Sequence, residues 1–103
     1  MAGKILGQAS PAAATNTSVY VVPAATSAVF NVSMVNTTDT TVVVRLALAA
    51  TSTPANSEYI EYDTVLPANQ VLERGGLVAD ANKHVVAYSS IAGVSVSVFG
   101  YEE

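Results

Sequence analysis

The sequence predicts an all-β fold, a single antiparallel β-sandwich of jelly-roll or immunoglobulin-like type with about seven to eight short strands. Apolar and polar residues alternate with a period of two in several segments, and turn-forming residues interrupt these segments about every eight to twelve positions. No stretch of about 10–15 residues has a helical period. The chain has 103 residues, which is the usual size of one domain.

Residues 40–49 form the longest apolar run, which makes them the predicted central strand. Their β-branched Thr and Val residues favour a strand over a helix. Successive side chains of a strand point to opposite faces, so every second residue of this run lies on one apolar face. We expect that face to be buried with alternating residues of two other strands, as one core of Val42, Val44, Leu46, Leu48, Phe30, Val32, Val96 and Val98.

The strands before the central one are predicted over residues 18–22 and 28–36. The first is rich in Val and ends at Pro23, which has no N–H to donate to a sheet. The second alternates, and the polar residues 36–39 that follow it predict a hairpin turn into the central strand.

The strands after the central one are predicted over residues 58–65, 70–74, 83–89 and 94–101. Loops rich in Ser, Thr, Pro, Asn and Gly separate them. Strict alternation in the first of these strands divides its side chains between two faces, with Ile60 and Tyr62 on one and Tyr59, Glu61 and Asp63 on the other.

Two parts of the chain are expected to differ: residues 1–15 as an N-terminal arm and residues 16–103 as the β-sandwich domain. The arm is composed mainly of small residues with glycines and Pro11, so it cannot build a core of its own. Ile5 and Leu6, which could form a short strand, are its candidate contact residues and would lie on a neighbouring subunit. We therefore expect deletion of residues 1–14 to leave the sandwich folded and to weaken its attachment to neighbours. The alternative is a floppy terminus that makes no such contacts.

Composition excludes several classes of function. Only 12% of the residues are charged, which is about half the usual share. The formal net charge is −4 and the Lys and Arg residues are scattered, so we expect no nucleic-acid partner. No apolar run approaches the ~20 residues needed to span a bilayer, and the first residues lack the apolar core of a signal peptide, so we expect no membrane partner and no export.

No motif for catalysis, for a cofactor or for a metal is present, and we expect no enzyme activity. The chain contains no cysteine and a single histidine, His84, for which a structural or surface role is expected rather than that of a base or ligand. Glu58, Glu61 and Asp63 are expected to form a solvated strand face rather than a carboxylate site. Tyrosine is enriched at protein interfaces, and Tyr59 and Tyr101 are the candidate contact residues of the domain, unless they are ordinary half-buried strand residues.

Several short stretches occur in a fixed order along nearly the whole chain: Lys4-Ile5-Leu6-Gly7-Gln8, Pro11-Ala12-Ala13, Val19-Tyr20-Val21-Val22-Pro23-Ala24, Tyr59-Ile60-Glu61-Tyr62-Asp63, Leu66-Pro67-Ala68-Asn69 and Val98-Phe99-Gly100. Their order resembles that in a group of small all-β virion proteins of tailed bacteriophages, notably those that infect cyanobacteria. The resemblance implies a structural role in the phage particle, without choosing between head and tail.

The expected function is that of a head decoration (cement) protein that stabilises the capsid shell. The expected partners are the major capsid protein or other virion proteins and further copies of the chain, with a trimer favoured. The expected location is the virion, after synthesis in the host bacterial cytoplasm. A tail, baseplate or fibre-associated adaptor is the alternative. A carbohydrate-binding module is a third possibility, disfavoured by the absence of Trp and of a clustered aromatic platform in the sequence.

Overall fold

The computed structural model describes residues 3–103. This part of the chain forms eight β-strands and a short 3₁₀ turn at Asn56–Glu58. In chain order the strands are β1 (Lys4–Ala9), β2 (Thr17–Val21), β3 (Ala28–Asn36), β4 (Val42–Ala49), β5 (Tyr59–Leu66), β6 (Val71–Ala79), β7 (His84–Ser89) and β8 (Val94–Glu102).

The strands form two four-stranded sheets that pack face to face. The first sheet has the order β1-β8-β3-β6 and the second has the order β2-β7-β4-β5, with every neighbouring pair antiparallel. The pairs β4–β5, β3–β6, β2–β7 and β1–β8 are nested, so the chain is one long hairpin wrapped over into two sheets. This is the jelly-roll arrangement, which confirms the β-sandwich and selects the first of the two predicted types.

The core lies between the two sheets and consists of the inward side of each strand. The largest fully buried side chains include Phe30, Met34 and Leu46, with valines of both sheets around them. The predicted core residues are buried as expected except Leu48, which packs against the margin of the cluster and is only partly buried. The ring of Tyr20 closes one end of the core against Phe30, with a centroid separation of 6.4 Å.

The edge strands of both sheets are irregular, whereas the inner strands are not. Register shifts occur in all four pairings that involve β1, β2, β5 or β6, and in each case the extra residue lies on the edge strand. The inner pairings β3–β8 and β4–β7 run without a shift. Bulges twist an edge away from further strand pairing. The edges of both sheets are therefore poorly suited to the addition of a further strand.

The N-terminal segment is not a separate arm in the structure but contributes a strand to the sandwich. Over Lys4–Ala9 it is β1, an edge strand paired with β8, and Leu6 packs against the core. Gly7 lies so close to β2 that a Cβ would stand 2.2 Å from the carbonyl oxygen of Val19. Small residues therefore serve close packing here, and the partner that orders them is the distant β8 of the same chain. Residues 1–2 of the predicted arm lie outside the described residues.

A network of three side chains connects β1 and β8 of the first sheet with β2 of the second sheet. The carboxylate of Glu102 accepts a hydrogen bond from the Tyr20 hydroxyl and lies 3.0 Å from Nζ of Lys4. These two contacts hold the pKa of Glu102 below its ordinary value of 4.5. Burial, together with the neighbouring Glu102 carboxylate, raises the pKa of Tyr20.

This network predicts a pH-dependent contribution to stability. Because the pKa of Glu102 is lower in the folded chain, its contribution is present above the unfolded pKa and is lost as the pH falls through the folded pKa. The Glu102→Gln variant should unfold more easily than the parent chain near neutral pH, and urea denaturation should show the difference disappearing in acid. A difference that stayed constant with pH would contradict the network.

Candidate functional site: two outer sheet faces

Within residues 3–103, no three His, Asp or Glu side chains are grouped so that they could hold a metal ion. This part of the chain also contains no helix that is long and apolar enough to cross a membrane. His84 lies on β7 with its Nδ1 2.6 Å from Oγ of Ser18 on the paired strand β2. That contact joins two neighbouring strands on the outer face of the second sheet.

The acidic residues predicted to share one solvated strand face instead have separate structural partners. Glu58 caps the 3₁₀ turn, accepting hydrogen bonds from the backbone N–H groups of Ala55 and Ala50, which lower its pKa. Glu61 forms an ion pair with Arg74, which joins the edge strand β5 of the second sheet to the edge strand β6 of the first. Asp63 lies on the outer face of the second sheet. The three carboxylates therefore do not converge on one site.

The outer face of the first sheet, which we name the neutral face, carries very little charge. Its side chains are those that alternate with the buried residues of β3 and β8, together with their cross-strand partners. They are Ile5, Gln8, Val29, Asn31, Ser33, Val35, Val71, Glu73, Val78, Ser95, Ser97, Phe99 and Tyr101. Glu73 is the only formally charged residue among these described positions, and depletion of charge is typical of the centre of protein interfaces.

An apolar band crosses one end of the neutral face from edge to edge. It consists of two cross-strand sets that meet on β8, where Phe99 and Tyr101 are two positions apart: Phe99 lies opposite Ile5, and Tyr101 lies opposite Val29, which in turn lies opposite Val78. Ile5 is 59% exposed and Val78 is 63% exposed, so the band is open to solvent. Exposed apolar side chains grouped in this way make the band a candidate interaction site.

The outer face of the second sheet has a different chemistry, centred on Arg45 of β4. The guanidinium carbon of Arg45 lies 4.3 Å from the ring centroid of Tyr62 and 4.4 Å from that of Tyr88. Its Nε lies 2.6 Å from the carboxylate of Asp63. We name this set, together with Tyr59, the tyrosine–arginine cluster. The hydrogen bond and the negative charge of Asp63, with smaller electrostatic contributions from the two tyrosines, raise the pKa of Arg45, and an arginine is charged at any physiological pH.

The cluster depends on bulges in β5 that the strict alternation did not predict. Leu46 pairs with Glu61 and Val44 pairs with Thr64, so Tyr62 and Asp63 both stand opposite Arg45. Asp63 has a φ of 51°, the left-handed conformation that such a bulge uses. A further extra residue, Ile60, precedes Glu61. The prediction that Ile60 and Tyr62 lie on the same face is therefore wrong. Ile60 packs against the core, whereas Tyr62 stacks on Arg45 on the outer face.

Tyr59 and Tyr62 instead lie on the same face, with their ring centroids 4.9 Å apart and edge to face. Tyr59 rests on a small apolar cluster of Ala47, Ala49 and Val86 on the outer side of the sheet. These two tyrosines and Asn56 of the 3₁₀ turn line an open depression of about 410 Å³. Tyrosines are therefore clustered in space although the sequence shows no aromatic platform.

The structure places the predicted contact residues in three different environments. Ile5 and Tyr101 both lie in the apolar band without being paired with each other, and Tyr101 is 37% exposed. Tyr59 lies in the tyrosine–arginine cluster on the opposite face. Leu6 faces the core. Sequence reasoning missed Phe99, Val29 and Val78, because their adjacency follows only from the strand order.

The structure thus defines an eight-stranded jelly roll with one neutral outer face and one face built around an arginine and tyrosines. No family model, curated protein or solved structure matches this chain. Its function is therefore inferred from the fold, the two faces and the sequence resemblance.

Proposed function

We propose that the protein is a structural component of a bacteriophage particle, specifically a head decoration protein that docks its neutral face on the capsid shell. The observation that carries the proposal is the apolar band across that nearly uncharged face. The bulged edge strands support docking through a face, since they oppose strand addition. The jelly-roll fold also occurs in viral capsid proteins, which is an argument by analogy.

The proposed partners are the major capsid protein and further copies of the chain around a shell junction, with three copies favoured. Such junctions present protein surface, so the band would be buried against apolar side chains. Burial of one exposed valine contributes about 1.5–3 kcal/mol. The formal net charge of −4 would repel nucleic acid, so the proposed contact is with the shell and not with the genome.

Lysine substitutions test the docking face. We expect Val78→Lys to weaken binding to particles that lack the protein by about tenfold or more, because it removes an apolar contact and introduces a charge that must be desolvated. Val65→Lys is the matched control, since Val65 is 62% exposed and lies opposite Val43 on the other sheet. Co-sedimentation of labelled protein with the particles measures both variants.

Comparison with the control variant also shows which results would contradict the proposal. Equal binding of both variants and the parent chain would show that the neutral face does not dock. Loss of binding by Val65→Lys alone would assign docking to the second sheet. Unchanged circular dichroism of both variants must accompany the measurement, so that a folding defect is not read as a binding defect.

The alternative is an adaptor of the tail, the baseplate or a fibre, which would use the same neutral face on a different partner. Purified heads and purified tails separate the two proposals. Saturable binding to heads supports the decoration protein, whereas binding confined to tails supports the adaptor. In either case the proposed location is the virion, after synthesis in the host cytoplasm.

A further inference from the structure

We propose that the depression on the second sheet is a binding site for a neutral saccharide of one or two sugar rings. The site lies on the face opposite the neutral face, so it does not depend on the docking proposal. Its lining residues are Asn56, Tyr59 and Tyr62. A volume of about 410 Å³ is at the small end of the range of roughly 300–1,000 Å³ for small-molecule sites, which suits a ligand of this size.

The aromatic walls of the depression are held in place before any ligand arrives. Tyr59 is packed on Ala47, Ala49 and Val86, and its ring meets that of Tyr62 edge to face. Tyr62 is in turn stacked on the guanidinium of Arg45. Rings that are already fixed lose little conformational freedom on binding, so more of the contact energy remains as affinity.

The turn that carries Asn56 is fixed as well. Oε1 of Glu58 accepts a hydrogen bond of 2.8 Å from the backbone N–H of Ala55, and Oε2 accepts one of 3.0 Å from that of Ala50. These bonds tie the 3₁₀ turn to the end of β4. Asn56 itself is exposed, so its side-chain amide can reach a ligand.

The lining groups match the two chemical surfaces of a sugar. A pyranose ring has an apolar C–H face, which packs against aromatic rings, and a rim of hydroxyl groups. The amide of Asn56 offers both a donor and an acceptor to neighbouring hydroxyls, and the tyrosine hydroxyls can add hydrogen bonds at the edge. Tyrosine joins an apolar body to a polar end, as such a ligand requires.

The charges around the depression favour a neutral ligand over an acidic one. The three lining residues, Asn56 and the two tyrosines, are polar residues without a formal charge. Arg45, the cation stacked on Tyr62, is already paired with Asp63 at 2.6 Å. An anionic sugar would have to compete with that carboxylate for the guanidinium, and it would also approach Glu58 at the turn.

The test is a titration of the ¹⁵N-labelled full chain with glucose, galactose, N-acetylglucosamine and their disaccharides, followed by NMR. At least one of these neutral sugars should give saturable shifts concentrated in residues 56–62, with a millimolar dissociation constant. The variants Asn56→Ala and Tyr62→Ala should each weaken that binding about tenfold. Tyr101→Ala, which removes a tyrosine from the neutral face, should leave it unchanged.

Several results would overturn the proposal. One is the absence of saturable shifts with every neutral sugar in the panel. Another is tighter binding of glucuronic acid than of glucose, which would assign an anion site, and a third is preference for a proline-rich peptide. Equal affinity of Asn56→Ala and the parent chain for the sugar would place binding elsewhere. Asn56 is exposed in a turn, so its truncation should not prevent folding.

Discussion

Replacing Leu46 with Ala is expected to lower the free energy of unfolding by about 2–5 kcal/mol. Leu46 is 1% exposed and lies on β4, an inner strand of the second sheet, where its side chain fills the space between the sheets. Truncation removes buried apolar surface and leaves a cavity that the inner strands cannot close by moving, because they are paired on both sides. Urea denaturation followed by circular dichroism measures the loss.

Val65→Ala is the matched control for that experiment. Val65 lies on the neighbouring strand β5 but is 62% exposed, so its truncation should change the free energy of unfolding by no more than about 0.5 kcal/mol. A small loss for Leu46→Ala, equal to that of the control, would mean that the inward face of β4 has been assigned to the wrong residues.

The inner strands β3 and β8 could be predicted because burial alternates along them without interruption, whereas in β4 Leu48 is only partly buried and Ala47 is buried beneath Tyr59 on the outer side. In β3 the residues Phe30, Val32 and Met34 are buried, and in β8 Val96 and Val98 are buried, as the period of two requires. Both strands have regular pairing with each other. The extra residues opposite these two strands lie on β1 and β6, so β3 and β8 keep their own alternation and the pattern in their sequence matches their burial.

The edge strands could not be predicted in the same way, because a bulge changes the period. The extra residue in β5 turns Tyr62 and Asp63 toward the same side, and nothing local in the sequence marks Asp63 as left-handed. The N-terminal segment failed for a related reason. Small residues in the sequence predict a segment that cannot build a core, whereas in the structure Gly7 is required by its close contact with β2.

The candidate sites illustrate what chain order alone can and cannot reveal. Ile5 and Tyr101 could be selected separately as contact residues, but the apolar band exists only because β1 and β3 pair with opposite sides of β8. The stacking of Arg45 between Tyr62 and Tyr88 likewise joins three strands. Residue types indicate the candidate contact residues, and the jelly-roll strand order determines which of those residues lie close together.

The second large effect concerns β1. Deleting residues 3–9 is expected to lower the free energy of unfolding by about 4 kcal/mol or more, against a total of about 5–15 kcal/mol for a domain of this kind. The deletion removes the strand that pairs with β8, the packing of Leu6 on the core and the ion pair of Lys4 with Glu102. Thermal unfolding should shift downward by about 20 °C.

This outcome separates a strand of the sandwich from a docking arm, and two point variants sharpen the distinction. Leu6→Ala should destabilise the chain because Leu6 packs on the core, whereas Ile5→Ala should be nearly neutral because Ile5 is 59% exposed. For binding to particles the order should reverse, since only Ile5 belongs to the apolar band. A shortened chain that melted at the parent temperature would show that β1 is dispensable and would restore the docking arm. An equal loss of stability from both point variants would contradict the inward and outward assignment of Leu6 and Ile5.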